Sequence, residues 1–508
     1  MDAAGTTPDE TTSLLSNQND SVRGRDDSSL PVRRQRLLQK NVVLLVLISI
    51  LLQAHLIFFN NASIELKIRR ICYKHTKDHH PDRIGPGQEL AWFHCHLEES
   101  VMQPFLELVK WEKLLAFIIL LLVVVPYGKF ADFRGKKKVI TLALVGQLFS
   151  CLWTVAVLPR YSSFLNRCAA VSFPALLPLE LTWVAPAFWL IGGGCSLAMT
   201  LIYLLPSERL HEEQRSQLYF SFYGAFLVTE AIIPFIQIEA LIVDTPLLYL
   251  NILVSFVLLG GCFVVFKYVD ESSVIEDSRR PEDTESTLSN HSSEIPGLPD
   301  QAAGQTGLLW LLRSRQILFF LVHLRKLPCR HPRLTYGSPV PLIRTDSKFL
   351  SLLPGGIIRF LLFVLIVPRA ISFVQKRFGI SNPGVDMWII RGSLLSFAIS
   401  GALITSASTF ASRMIAYIIF VIGLGLRTSL LSYITSLARP GLRGRLYGMI
   451  QVAEILGQLI TWPILQDFWA RIGNKEDPWL VLPFVVMSVT SLCALAVIML
   501  PQAGLTHI

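Results

Sequence analysis

The sequence predicts an all-α membrane protein in which twelve transmembrane helices form two pseudo-symmetric six-helix bundles, with an irregular seventh helix. The first observation is composition: 52% of the 508 residues are hydrophobic and 16% are charged, whereas soluble domains carry about 25% charge. The second is that apolar runs long enough to cross about 30 Å of hydrocarbon recur along the chain. The third is a weak internal repeat between the two halves, which indicates duplication of a six-helix unit.

The net charge of +9 comes from basic residues scattered around the apolar runs. A nucleic-acid-binding protein gathers its Lys and Arg on one face, so the pattern excludes that partner and indicates residues that orient helices in a lipid bilayer. The eight cysteines form no C-x-x-C pair, and no nucleophile elbow, phosphate-binding loop or metal-ligand spacing is present. We therefore expect no enzymatic activity, no metal and no cofactor.

Basic residues before the first apolar run set the expected topology. Arg33, Arg34 and Lys40 precede the span Asn41–Asn60, which places the N-terminus in the cytoplasm by the positive-inside rule. With twelve crossings the C-terminus lies there too. The expected domains are a disordered cytoplasmic tail (1–40), a first six-helix bundle (41–268) with an outer loop (61–112), a disordered cytoplasmic linker (269–305), a second six-helix bundle (306–500) and a short tail (501–508).

The predicted outer loop carries two signals of a non-cytoplasmic location. Asn61-Ala62-Ser63 matches the glycosylation acceptor pattern at Asn61. Cys72 and Cys95 bracket the middle of the loop, where a disulfide is permitted outside the cytoplasm. Cys168 lies in a later outer loop and competes for the same bond.

The candidate for the seventh span, Thr306–Leu324, is the weakest of the twelve. It contains Arg313 and Arg315, and each arginine near mid-helix costs several kcal/mol on insertion scales. The basic turn after the eighth span is nevertheless expected in the cytoplasm, and this orientation requires a seventh crossing. Residues 322–350 are rich in proline and basic residues, and the alternative is a misread gene junction.

The internal repeat is clearest in the fourth and tenth spans. Ile191-Gly192-Gly193-Gly194 parallels Ile422-Gly423-Leu424-Gly425. Glycines at these positions let a neighbouring helix pack closely. The fifth and eleventh spans also match, in two registers that both remain open. The aligned residues are Tyr223 and Glu230 with Tyr447 and Glu454 in one register, and Tyr219 with Tyr447 in the other.

A short basic turn joins the second and third spans. Gly128, with no side chain, lets another backbone come close, and Gly135 permits a positive φ. Asp132 ends the preceding helix, where its carboxylate can accept hydrogen bonds or pair with a cation. Lys136 and Lys137 follow and hold the turn in the cytoplasm.

This spacing resembles the loop between helices 2 and 3 of the major facilitator superfamily, which has the form G-x-x-x-D-x-x-G-[RK]-[RK]. Phe133 departs from the pattern, because the family often has a basic residue there. The two-cysteine outer loop, Trp111-Glu112 and Pro126-Tyr127-Gly128 resemble fungal relatives of the proton-coupled folate and haem carriers. Pro234 has no preceding glycine, unlike the fifth helix of drug–proton antiporters. The resemblance implies the major facilitator fold and a turn that acts as a conformational latch.

Ionisable groups inside membrane spans indicate function by default. A buried carboxylate is readily protonated near neutral pH, whereas an arginine keeps its charge and suits an anionic group. The resemblance implies that helices 1, 4, 7 and 10, with parts of 5, 8 and 11, line one cavity. The proton-coupling candidates are therefore Glu230, Glu454 and His55, and the substrate-binding candidates are Arg427, Gln53 and Gln451. Arg427 is the expected partner of Glu230.

The sequence thus predicts a secondary active transporter that moves a small solute by alternating access and is coupled to protons. We expect it in the plasma membrane or a vacuolar or endosomal membrane. The alternative is a non-transporting membrane sensor or a decayed carrier, favoured by the arginines of the seventh span. The residues do not identify the solute, nor whether it is taken up or exported.

Overall fold

The computed structural model describes twelve stretches of the chain, and secondary structure within them is helical with no β-strand. They include Asp132, Arg427 and Glu454 but neither the predicted linker nor the predicted seventh span, Thr306–Leu324. The stretches are 32–79, 99–158, 178–207, 218–230, 232–233, 245–269, 359, 361–379, 382–407, 409–437, 443–471 and 482–499.

The first half contains six α-helices and one long 3₁₀ segment within the described residues. The α-helices are α1 (Val32–His79), α2 (Glu99–Arg134), α3 (Lys136–Val157), α4 (Gly194–Ser207), α5 (218–230) and α6 (Thr245–Lys267), and the 3₁₀ segment before α4 is Leu179–Leu190.

The second half contains six further α-helices in the part of the chain that the structure describes. A π-helical stretch, Leu361–Ile366, leads directly into the first of them. The α-helices are α7 (Val367–Phe378), α8 (Asn382–Ser406), α9 (Phe410–Gly423), α10 (Leu426–Leu437), α11 (Arg443–Arg471) and α12 (Leu482–Met499).

Eight helical segments of the described chain are long and apolar enough to cross a membrane. Their outward faces are apolar, as a lipid environment requires. On α6, for example, Leu253, Val257 and Val264 are each at least 60% exposed, and their spacing places them on one side of the helix. The prediction of an integral, multi-pass, all-helical protein is therefore supported, while the count of twelve spans stays a prediction.

The helices at the predicted outer loop are longer than expected. The loop was predicted over 61–112, yet α1 continues through His79 and α2 begins at Glu99. The reason is a helical spacing of apolar residues: Ile64, Ile68 and Cys72 recur every fourth position and pack on the start of α2 in one apolar cluster. Two ion pairs stabilise this extension: Lys67 Nζ lies 2.5 Å from Glu112 Oε2 across the two helices, and Arg69 pairs with Glu65 within α1.

The fourth span is not a continuous α-helix. The 3₁₀ segment ends at Leu190 and α4 begins at Gly194, and the three consecutive glycines 192–194 have φ of +89°, +84° and +67°. The break lies against Gly146 of α3, where a Cβ would stand 2.3 Å from the Ile191 carbonyl oxygen. The absence of side chains on both sides allows this contact.

The tenth span is broken at the corresponding place. Helix α9 ends at Gly423 and α10 begins at Leu426. This is the site at which the sequence repeat aligns Gly423 and Gly425 with the glycines before α4. The two equivalent spans are thus both interrupted near their middles.

Candidate functional site

The basic turn after α2 contacts the other half of the molecule through Asp132. Its two carboxylate oxygens accept hydrogen bonds from the backbone N–H groups of Gly444 and Arg445, each at 3.0 Å. These groups lie in the first turn of α11, whose N–H groups lack partners within the helix and carry partial positive charge. Asp132 therefore caps a helix that belongs to the opposite half.

Glycines make this approach of α2 and α11 possible. A Cβ on Gly128 would stand 3.0 Å from the Gly444 carbonyl oxygen, and one on Gly444 would stand 2.2 Å from the Asp132 carboxylate. A Cβ on Gly448, one turn further along α11, would be 3.3 Å from the Val124 carbonyl oxygen. The predicted close approach at Gly128 is confirmed.

The other residues of the basic turn shape it, hold it within the first half or contact the second half. Gly135 has φ of +95°, which confirms the predicted positive φ. Lys137 donates to the Val269 carbonyl beyond the end of α6, and this bond anchors the turn within the first half. Lys136 begins α3. Phe133, the departure from the family pattern, lies under the Arg445 guanidinium of the other half at 5.6 Å, a cation–π contact.

A second polar contact joins the halves near the same end. The hydroxyl of Tyr219 in α5 is hydrogen-bonded to the hydroxyl of Tyr447 in α11, and both contact the Thr435 hydroxyl of α10. Tyr219, Tyr447 and Thr435 are buried. Together with Asp132, this cluster closes the basic end of the molecule between its two halves.

An ion pair joins Arg427 of α10 to Glu454 of α11. Arg427 Nε donates to Glu454 Oε1 at 3.0 Å and Nη2 donates to Oε2 at 3.3 Å. The bidentate geometry gives the pair a defined orientation. Glu454 is 1% exposed and Arg427 is 30% exposed, so the carboxylate is covered while the guanidinium is partly exposed. Arg427 lies in the first turn of α10, directly after the helix break.

Gln451 extends the ion pair to the first half. Its Nε2 donates to Glu454 Oε2 at 2.5 Å, and its Oε1 accepts from the Ser196 hydroxyl at 2.7 Å. Ser196 lies in the first turn of α4, directly after the other break. In the alignment of the two glycine segments, Ser196 and Arg427 occupy equivalent positions. One polar chain, Ser196–Gln451–Glu454–Arg427, thus links the two broken spans through α11.

Aromatic residues surround this chain on the side of the first half. A small cavity of about 20 Å³, with room for about one water molecule, is lined by Tyr203, Tyr219, Tyr223, Arg427, Thr428 and Leu431. A larger cavity of about 400 Å³ lies between α1, the α5 region and the residues around Phe363, and it is largely apolar. Tyr223 and Phe363 are in edge-to-face contact at 5.2 Å and stand between the two cavities.

His55 lies apart from this site. It is fully buried between α1, α3 and α6, with Nδ1 at 2.8 Å from the Ser255 hydroxyl and Nε2 at 3.8 Å from the Cys151 sulfur. Gln147 and Trp189 continue the hydrogen-bonded chain through the first half. The printed contacts of His55 are with residues of α3 and α6 and not with Arg427 or Glu454, so its role in proton coupling stays a prediction.

Glu230 does not pair with Arg427. It is partly buried at the end of α5 and makes no ion pair or hydrogen bond with any described residue. The predicted partner is taken by Glu454, because the start of α10 faces α11. Gln53 is buried on α1, and its Nε2 has no hydrogen-bond partner among the described protein groups. The structure therefore unites Arg427, Glu454 and Gln451 but not the other three candidates.

The two outer-loop predictions have different outcomes. Cys72 is disulfide-bonded, while its predicted partner Cys95 lies outside the described residues, so the pairing stays a prediction. Asn61 and Ser63 lie inside α1, and Ser63 is buried at 4% exposure. An acceptor for glycosylation belongs on an exposed surface loop, so this geometry argues against modification of Asn61.

Ser196 and Arg445 were not predicted as functional residues. Ser196 carried one signal, its position opposite Arg427 in the repeat, but a lone serine in an apolar span is common. Arg445 acts through its backbone N–H, which every residue but proline has. Neither contact is visible before the helices are placed.

Comparison with known proteins gives relatives of one kind. No protein-family model matches the chain. It is 23% identical over 450 residues to "MFS efflux pump atnC" of Emericella nidulans, covering 84% of this chain and 80% of the relative. It is 20% identical over 450 residues to "MFS-type transporeter aprT" of Aspergillus flavus, covering 82% of this chain and 79% of that protein.

Solved structures show the same fold. The proton:xylose symporter XylE superposes with a TM-score of 0.54 over 91% of this chain and 95% of its own, at 11% identity. A bacterial homologue of the iron transporter ferroportin gives 0.53 over 88% and 97%, at 15% identity. The human organic anion transporter MFSD10 gives 0.52 over 91% and 99%, at 16% identity. This chain is thus similar to fungal transporters of the major facilitator superfamily, and it shares the fold of these solved structures.

Proposed function

We propose that the protein is a secondary active transporter that moves a small organic solute by alternating access, and that the movement is coupled to protons through Glu454. The observation that carries the proposal is the Arg427–Glu454 pair, which is held in the membrane on the helix that also contacts the first half. A charged pair at this depth is costly unless it is used. Protonation of Glu454 removes its charge and leaves Arg427 without an anionic partner.

The two halves supply the alternating access. In this structure they meet at the basic end through Asp132 and through the tyrosine pair of α5 and α11. By the positive-inside rule that end faces the cytoplasm, with both termini on the same side. Release of these contacts would open the site to the cytoplasm while the opposite end closes, which is the rocking motion expected of two six-helix bundles around a central site.

The cavities support a solute of mixed character. The larger one is apolar, whereas the smaller one offers tyrosine hydroxyls and Arg427. A solute with an apolar body and one polar or acidic group fits this pair. The relative named an efflux pump favours export, and the plasma membrane or a vacuolar or endosomal membrane is the expected location. The likeness of the outer loop and Trp111-Glu112 to the folate and haem carriers stays a hypothesis.

The test uses the full-length protein in proteoliposomes that contain a trapped pH-sensitive dye. A panel of organic solutes is applied, and solute-dependent proton movement identifies a substrate. Glu454→Gln should then lower accumulation driven by a pH gradient at least about tenfold, yet keep solute exchange, because exchange does not require the proton to leave. Glu230→Gln is the matched control and should retain accumulation, since Glu230 makes no contact with the ion pair.

If the Glu454→Gln protein still accumulates solute when driven by a pH gradient, another group carries the proton. If no solute moves in the intact protein while solutes still bind, the sensor or decayed carrier becomes the better description.

A further inference from the structure

The side chain of Gln451 is bonded at both ends. Its NH₂ group faces Glu454 and its carbonyl oxygen faces the Ser196 hydroxyl, and Gln451 itself is 1% exposed. An ionised carboxylate is an acceptor only, so the amide must present its NH₂ group to Glu454. The carbonyl is thereby turned toward α4, where it accepts a hydrogen bond from the Ser196 hydroxyl. The arrangement seen here therefore matches the charged form of Glu454.

The same chain has a second arrangement when Glu454 is protonated. A carboxylic acid has one O–H to donate, and the Gln451 carbonyl can accept it if the amide turns over. The orientation of this amide is thus tied to the proton on Glu454. A buried carbonyl without a donor is unfavourable by about 1–3 kcal/mol. Among the described residues, loss of the Ser196 contact leaves protonated Glu454 as the side-chain donor to the Gln451 carbonyl.

Few other groups around Glu454 could act as a neutral hydrogen-bond donor to its carboxylate. From α10, Arg427 is the charged group in contact. From α4 and α5, Tyr203 and Tyr223 lie within electrostatic reach of Arg427. Toward α2, the next residue of α11 packs in an apolar cluster, whose buried members are Phe117, Leu120, Val124 and Ile455. Within the described residues, Gln451 is therefore the neutral donor to this carboxylate.

We propose that Gln451 is a positioning residue that couples the approach of α4 and α11 to the charge on Glu454. With α4 in contact, Ser196 holds the amide in the orientation that stabilises the carboxylate. When α4 withdraws as the halves part, that restraint ends and the protonated acid is favoured. This inference rests on the proposed function, in which Glu454 carries the proton, and it adds the element by which Glu454 senses the conformation.

The experiment measures protonation without any solute. Full-length protein is reconstituted into vesicles of phosphatidylcholine and phosphatidylethanolamine, and the infrared band of protonated carboxyl groups is followed as the pH is varied. Glu454→Gln identifies the part of the band that belongs to Glu454. Gln451→Leu should raise the midpoint of that part by about one pH unit, a tenfold change in proton affinity. Ser196→Ala should also raise this midpoint, by about half as much, although Ser196 does not touch Glu454.

A double-variant cycle separates this coupling from a general effect on packing. In the Gln451→Leu protein, Ser196→Ala should cause no further shift, because its influence passes through the amide. Thr200→Val is the matched control: its hydroxyl donates to the Ser196 backbone carbonyl within α4, so this variant should titrate as the wild type does.

Two results would overturn the inference while leaving the proposed function intact: a wild-type midpoint in Ser196→Ala, or shifts that add in the double variant. The proposed function itself fails separately, if Glu454→Gln keeps full accumulation driven by a pH gradient in the dye-loaded vesicles. Monodisperse elution of each variant in detergent establishes that the compared proteins are folded.

Discussion

Asp132 is a single carboxylate that caps a helix of the other half. Its bonds to the Gly444 and Arg445 backbone are charge-assisted, and such bonds contribute more than neutral ones. They exist only while α2 and α11 are in contact. The free energy of these bonds therefore adds to the stability of one conformation and to no other, which is what a latch requires.

Removal of the Asp132 charge should shift the population of the closed basic end. For Asp132→Asn we expect the closed form to lose about 1–2 kcal/mol, a shift of roughly tenfold in the equilibrium. Spin labels on Lys129→Cys and Arg377→Cys, exposed positions in the two halves, report the separation of that end. Lys138→Gln, which removes an exposed charge of the same turn, is the control and should leave the distance distribution unchanged. A wild-type distribution in Asp132→Asn contradicts the latch.

At the scale of single residues, the sequence predicted those features that one residue type alone can provide. Gly135 was predicted to need a positive φ, and Gly128 was predicted to admit a backbone, because glycine alone does both without strain. The ion pair was not predictable in the same way. Arg427 had several carboxylates to choose from, and the choice depends on which helix faces the start of α10.

At the scale of elements, the broken spans are the features that place the polar chain. Each break ends one helical segment and starts another inside the membrane, and backbone irregularity there is tolerated where protein covers it. The first turn after each break carries the polar residue, Ser196 on α4 and Arg427 on α10. The glycine repeat in the sequence predicted two equivalent helices, but close packing was its expected role and a break was not.

The break in the fourth span should depend on Gly146 of α3. Gly146→Ala places a Cβ 2.3 Å from the Ile191 carbonyl oxygen and 2.7 Å from that of Phe188. Both are backbone atoms, which cannot turn aside, so we expect a loss of about 2–3 kcal/mol and an apparent Tm lower by about 5 °C. The measurement is thermal unfolding of the detergent-solubilised protein.

Gly260→Ala on α6 is the matched control for this substitution. No described atom lies within 4 Å of a Cβ at that position, and alanine favours the helix over glycine by up to about 1 kcal/mol. Its apparent Tm should not fall. If the Gly146→Ala and Gly260→Ala proteins have equal apparent Tm, the backbone at the break can move away from α3 at no cost, and the prediction is wrong.

The register between the fifth and eleventh spans also becomes clearer. Tyr219 and Tyr447 are hydrogen-bonded to each other. Residues related by a two-fold axis meet their equivalents at that axis, so this contact favours the register that aligns these two tyrosines. Both registers were possible in the sequence because a second tyrosine, Tyr223, follows Tyr219 by one helical turn.

At the scale of the whole molecule, α2 and α11 form the seam between the halves. Glycines at the basic end bring the two backbones together, and the apolar cluster around Phe117 and Ile455 continues the contact away from that end. At the basic end, where the residues are small, the seam can separate without leaving large cavities behind, because little side-chain volume interlocks there.

A wedge in this seam should hold the basic end open. Gly128→Trp has no space in the present conformation, since even a Cβ would be 3.0 Å from the Gly444 carbonyl oxygen. We expect the spin-label distance between the halves to increase, transport to fall at least about tenfold and membrane insertion to persist. Gly392→Trp, at an exposed α8 position with no described atom within 4 Å, should transport as the wild type does. An unchanged distance in Gly128→Trp would show that the seam is not the moving contact.

The overall architecture was predictable because lipid imposes one solution on long apolar runs, the helix. The extension of α1 was missed for the opposite reason: its charged residues suggested a loop, and their pairing with α2 is apparent only once the two helices lie side by side. Ile64, Ile68 and Cys72 did carry the helical spacing, which polar neighbours obscured.

Helix α1 has 48 residues, a length of about 72 Å at 1.5 Å per residue, against a hydrocarbon core of about 30 Å. A rod of that length, braced by α2, stands clear of a detergent micelle on one side. In electron cryo-microscopy, small transporters are hard to align because their two halves look alike and the micelle hides them. The extension of α1 can serve as a fiducial marker, because it is present in the first half and not in the described part of the second, and therefore gives each particle image a direction.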